Sequence, residues 1–287
     1  MSANSERAGT DSALPTGFWV DPHLPRMLQP PAGSVKDGVG LDFSAVAVAM
    51  WPPPLPPAHP REALLGPYLE FLDLVRGCFP VDEDLEPSAD TGGMAPVYLY
   101  PPQHLHVTVA TMHRFDAATT GEERTAMAAA FPDLLRRASR RPRWPGAGTR
   151  MRFRLKSARL GERAGILLWE ETTGALTDIR KCLKEEYGEN HTREVLGGIR
   201  VGSSPSGDAL GGFSVPDIVH STFVRFGAPV KSDAVEVRER FGRVLVRLPE
   251  IFKMVEVEAN AVRLACERTP YMHVPCDDVH VLQSVEL

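Results

Sequence analysis

Two stretches decide the reading: Leu105-His106-Val107-Thr108-Val109-Ala110-Thr111-Met112 and Ile218-Val219-His220-Ser221-Thr222-Phe223-Val224-Arg225-Phe226. Both are runs of β-branched, aromatic and aliphatic residues, which predicts strands. Side chains along a strand alternate between faces. His106 and Thr108 therefore share one face, while Val107 and Val109 turn the other way, into a core. His220 and Thr222 stand in the same relation to Ser221 and Phe223. Each strand offers an imidazole beside a hydroxyl.

That set suits phosphoryl chemistry. Histidine is the side chain whose neutral and charged forms coexist near neutral pH. One imidazole can accept a proton from an attacking water or hydroxyl, and a second, protonated, can donate one to the leaving oxygen. Threonine hydroxyls can donate to the non-bridging phosphoryl oxygens, where negative charge sits. No metal is needed to account for such a step. A single His-x-Thr is common by chance, and a lone strand histidine is more often structural. The weight lies in two copies, each in a strand and each followed by a helix.

Working outward, residues 1–42 are rich in Ser, Gly, Pro and Asp and are expected to be disordered or an extended arm. The segment GFWVDPHLPRMLQPP within them is apolar enough to lie on the domain. A strand is expected at 43–50, a helix at 61–77, strands at 97–100 and 105–112, and a helix at 120–140 kinked or divided by Pro132. Strands at 151–160 and 164–171 and a helix at 173–187 follow. The Gly- and Ser-rich segment 188–215 reads as a flexible loop insertion. Strand 218–226, a helix at 231–248 and strands at 253–267 and 278–287 complete the chain. The order is α+β, in two halves that each carry a motif strand, a helix and a strand pair. Residues 43–287 are read as one domain.

The composition, 43% hydrophobic and 24% charged, is that of an ordinary globular protein. A net charge of −5 argues against bulk nucleic-acid binding by an all-over basic surface. The four cysteines form no Cys-x-x-Cys and are read as reduced thiols, with Cys266 and Cys276 able to meet only across a hairpin. No signal-peptide core and no membrane-length apolar run is seen. A monomer is expected, in the cytoplasm, with the nucleus left open.

The pair HVTV (106–109) and HSTF (220–223) resembles the repeated His-x-Ser/Thr-hydrophobic signature of the 2H (two-histidine, LigT-like) phosphoesterase superfamily. The resemblance covers most of 43–287 in element order and is residue-specific only at the motifs. It implies a bilobal α+β fold, with two antiparallel sheets lining a central cleft and helices outside. It also implies catalytic His106 and His220, with Thr108 and Thr222 binding phosphate. The implied activity is metal-independent and needs no cofactor. It would act on a 2′,3′-cyclic phosphate or related phosphodiester of a nucleotide or RNA end. The interval between the motifs is longer than in compact members, and the Pro-rich N-terminal segment is additional.

Other residues invite a role at such a site. Compact family members often carry an arginine where Arg225 stands. In a regular strand the odd offset puts Arg225 on the face opposite His220, and only a bulge would re-aim it. Tyr271, in the loop before the last strand, could stack on a base or be a packed hairpin tip. His104 and His106 form an His-x-His with His113 near, a zinc-like spacing. No further His or Asp follows at a metallohydrolase spacing, so His104 is placed at the cleft mouth or in a local hydrogen bond. Arg136, Arg137, Arg140, Arg141 and Arg143, then Arg150, Arg152, Arg154 and Lys156, concentrate positive charge. They are either an RNA-backbone contact or a solvated face. The rival functional readings are a nucleotide- or RNA-binding module without turnover, and an RNA 3′ exonuclease or end-joining activity.

Overall fold

The computed structural model describes residues 17–21, 41–47, 62–80, 86, 95–116, 121–193, 213–267 and 281–287. The fold is α+β. Its strands are β1 (Leu41–Ala47), β2 (Val97–Leu99), β3 (Val107–Asp116), β4 (Met151–Leu160), β5 (Ala164–Glu171), β6 (His220–Phe226), β7 (Glu256–Ala259), β8 (Ala261–Glu267) and β9 (Val281–Glu286). Its helices are α1 (Glu62–Arg76), α2 (Gly121–Ala138), α3 (Ala175–Arg193) and α4 (Ala234–Ile251). A 3-10 turn spans Pro102–His104.

The strands form two antiparallel sheets, one of four in the order β3-β1-β8-β9, the other of five in the order β2-β6-β5-β4-β7. Helices cover one face of each. On the five-stranded sheet, Phe223 meets Phe71 of α1 edge-on at 4.9 Å and stacks on Phe241 of α4 at 5.9 Å. α4 is built for this. Asp233 caps it by accepting from the Val235 N–H, and Val237, Phe241, Val244 and Leu248 recur every three or four residues as its buried stripe. α2 and α3 lie against the four-stranded sheet and each other, joined by Arg137 and Arg141 bonded to Glu186.

The sequence halves are not the two sheets. The pair β4–β5 follows the first motif strand but belongs to the sheet of the second, and β8–β9 follow the second motif but join the sheet of the first. The chain expected as one strand over 253–267 is two strands in different sheets, parted at Asn260. α3 runs to Arg193, so the first residues of the expected 188–215 loop are helical. α2 runs through Pro132 without dividing. Strand β1 begins within the expected N-terminal arm.

Residues 17–21 lie along the five-stranded sheet. Trp19 N–H donates to the Glu162 carbonyl and Asp21 N–H to that of Phe226, while Phe18 packs on Phe226 at 4.3 Å.

Candidate active site

The segment between β2 and β3 carries the chain from one sheet to the other. β2 pairs with β6, the Tyr100 N–H donates to the Phe223 carbonyl, and the 3-10 turn then brings His106 beside Ser221. The Ser221 hydroxyl, buried, donates to the His106 carbonyl at 2.8 Å and accepts from the Trp169 indole N–H at 3.0 Å. The two motifs thus touch directly, the Ser221 side chain on the His106 backbone. His106 stands at the foot of β3 rather than inside it, and His104 lies in the 3-10 turn, so the two histidines do not share a strand face as the His-x-His spacing suggested.

His106 Nδ1 is 3.0 Å from the carbonyl of His104. His220 makes the matching bond to the carbonyl of Ile218. In the neutral ring an Nδ1–H that donates to a carbonyl leaves Nε2 as an acceptor, so His106 presents Nε2 to the site. Burial pushes His106 down to about 4, helped by the charges of His220 and Arg225 and opposed by the bond to the His104 carbonyl. His220 is lowered by burial and by Arg180 and Arg225. The influence of His220 on His106 is an electrostatic mark of their closeness. Thr108 and Thr222 are half-buried, on the faces of their respective histidines.

Each motif strand slips its register at the same point. On β6, Thr222 pairs with Ile166 and Val224 with Gly165, so Phe223 is an extra residue. On β3, Thr108 pairs with Val46 and Ala110 with Ala45, so Val109 is extra. Both bulges fall on the fourth residue of the motif. A bulge reverses the alternation beyond it. Arg225 is therefore turned onto the face of His220 and Thr222, not away from it as a regular strand required, and Thr111 takes the equivalent place on β3. Arg225 Nη1 is held by the Asp21 carboxylate at 2.8 Å. Tyr98 is its cross-strand neighbour on the same face. On the other sheet, Thr108, Val46 and Arg263 form one rung, which puts the half-buried Arg263 on the face of Thr108.

The room for the β6 bulge comes from Gly165. A Cβ there would collide with the Phe223 ring and the Val224 side chain.

Arg152 and Arg154 stand apart from this. Arg150, Arg152 and Arg154 pair across the β4–β7 ladder with Glu256 and Glu258, at 2.7–3.8 Å. Arg137, Arg141 and Arg143 are matched by Glu185, Glu186 and Glu189. Most of the basic run is thus met by carboxylates. A groove of about 690 Å³ between β4 and α4 contains none of the motif residues. Tyr271 lies outside the described residues. His104 and His113 are buried. Among the described residues no cluster of ligands could hold a metal ion, and no helix is long and apolar enough to cross a membrane.

Arg180, on α3, was not anticipated. Its Nε donates to the Val109 carbonyl at 3.2 Å, and its Nη2 to those of Thr108 at 3.0 Å and Ile218 at 3.2 Å. The readable signal was its place between Leu176 and Leu183, in the middle of an otherwise apolar helical stripe.

Several solved structures are similar to this chain. Kluyveromyces marxianus Usb1 with uridine monophosphate is 13% identical, with 88% of this chain and 100% of that one covered and a TM-score of 0.42. A conserved protein of unknown function from Agrobacterium tumefaciens, ATU0111, is 13% identical over 90% and 93%, with a TM-score of 0.43. TT0787 of Thermus thermophilus is 17% identical over 79% and 87%, with a TM-score of 0.33. No protein-family profile matches the chain, and no curated protein sequence does.

Proposed function

We propose that this protein is a metal-independent phosphodiesterase in which His106 and His220 act as the acid–base pair. The reading is carried by one observation: the two motifs meet where the Ser221 hydroxyl donates to the His106 carbonyl, with each imidazole tied to the carbonyl two residues before it. Each is also followed two positions on by a threonine on its own face. The proposed substrate is a 2′,3′-cyclic phosphate of a nucleotide or RNA end. One neutral imidazole takes a proton from water as the water oxygen attacks phosphorus. The other, protonated, gives its proton to the departing ribose oxygen, and the P–O bond to that oxygen breaks. The Thr108 and Thr222 hydroxyls donate to the non-bridging oxygens as charge builds there. Arg225 and Arg263, on the same faces, supply positive charge at the flanks.

The test is hydrolysis of a panel comprising 2′,3′-cyclic nucleotides, ADP-ribose cyclic phosphate, 2′,5′-oligoadenylate and oligo-U 3′ ends, all in EDTA. His106→Ala and His220→Ala should each lower kcat by at least about 100-fold, the usual worth of general acid–base catalysis. Full activity in either variant, or loss of wild-type activity on adding EDTA alone, overturns the mechanism.

A further inference from the structure

We infer that Arg180 is a positioning residue that sets the spacing and orientation of the two histidines by gripping the backbone of both motifs at once. The inference rests on the phosphodiesterase reading above. Its ground is geometric. The guanidinium leaves α3 and donates to three carbonyls: Thr108 and Val109 on one motif strand, and Ile218 just before the other. Two of these are not ordinary partners. Val109 is the bulged residue, which has no mate in the β1–β3 register. Ile218 offers the carbonyl to which the His220 ring is bonded. Arg180 therefore shares an acceptor with the imidazole it would position, and its other two bonds fix that acceptor relative to the hydroxyl-bearing Thr108.

The planar fork of an arginine suits three acceptors spread over two strands. An ammonium on a flexible stem is a point charge that cannot hold the same spread. Arg180 also carries its charge to His220. Among the described residues, the charged groups that act on that imidazole are Arg180 and Arg225, while Asp217 and Glu171 face Arg180 itself. Removing the Arg180 charge should let His220 titrate at a higher pH.

Two variants separate geometry from charge. Arg180→Gln removes both, and Arg180→Lys keeps the charge but loses the fork. With folding checked by thermal unfolding, kcat on a 2′,3′-cyclic nucleotide should fall about 10- to 100-fold in both. That is the cost of a misplacement on the order of 1 Å. KM should stay within about threefold, since no substrate contact is removed. NMR titration of the imidazoles, with His220 assigned by its loss in His220→Ala, should show His220 raised in Arg180→Gln and unmoved in Arg180→Lys. Wild-type kcat in a folded variant overturns the inference, as does a rise in KM at unchanged kcat. Failure of both variants to fold assigns Arg180 to folding and overturns it as well. If the wild-type protein cleaves no phosphodiester, the functional reading fails and the NMR arm alone judges Arg180. An unshifted His220 titration with unchanged ring 15N shifts in Arg180→Gln then overturns the inference.

Discussion

His106 sits where its neutral ring is favoured, at about 4 against an ordinary 6.5. As pH falls, the unfolded chain takes up that proton first, so the folded state loses ground. Stability from this group is fully present above pH 6.5, declines between 6.5 and about 4, and levels off below. His220, lowered in the same direction, adds to the decline. Denaturant unfolding at pH 7 and pH 4.5 should show His106→Asn losing less stability than wild type over that interval. The difference should be about 2 kcal/mol, at 1.36 kcal/mol per pKa unit. Equal losses would show that His106 is not held neutral. The same positions set a catalytic window. kcat/KM reports the free protein, and both imidazoles lie below their ordinary value, so its bell should peak on the acid side of pH 6.5. A peak above pH 7 would contradict the assignment of the two histidines as the titrating pair. The histidines and threonines were legible because strand alternation is local. Arg180 was not, because its three acceptors come from segments far from it in the chain, and a cation in an apolar stripe has several explanations.

At the scale of the strand, the two bulges do what no regular ladder could. They keep the hydrophobic fourth residue of each motif in the core and bring the residue five places after each histidine onto the histidine's face. The sequence pattern misplaced Arg225 for this reason. Phe223-Val224 and Val109-Ala110 are adjacent apolar pairs, and alternation alone cannot say which member is extra. The helices and most strands were legible from periodicity, whereas the break at Asn260 was not, since the alternation of Val255, Val257, Ala259 and Ala261 with polar residues runs straight across it. Gly165→Ala tests the bulge directly. The added methyl has nowhere to go but into Phe223 and Val224, so the bulge must shift, at about 1–3 kcal/mol for overpacking. Arg225 moves with it, and kcat/KM on the cyclic phosphate should fall about tenfold or more. Gly242→Ala, whose Cβ meets nothing within 4 Å in α4, is the control and should stabilise by up to about 1 kcal/mol. Parallel behaviour of the two variants would show that the β6 slip plays no part in the site.

Over the whole molecule, each sheet is assembled from both halves of the chain, and one cluster of buried residues draws on both sheets. The halves seen in the sequence are real as an order of elements, but neither builds a sheet by itself. Which sheet a strand joins depends on long-range pairing that a linear pattern does not encode. Unfolding in guanidinium should accordingly be a single transition, with tryptophan fluorescence and far-UV circular dichroism coinciding. Two separated steps would mean that the sheets are independent. The exchange of strands has a further consequence, for synthesis. β1 emerges from the ribosome early and can pair on one side with β3, but its other neighbour is β8, made near the end of the fold. Until then its open edge invites the wrong partner. The nascent chain therefore carries an unpaired β1 edge until β8 is made, late in its synthesis.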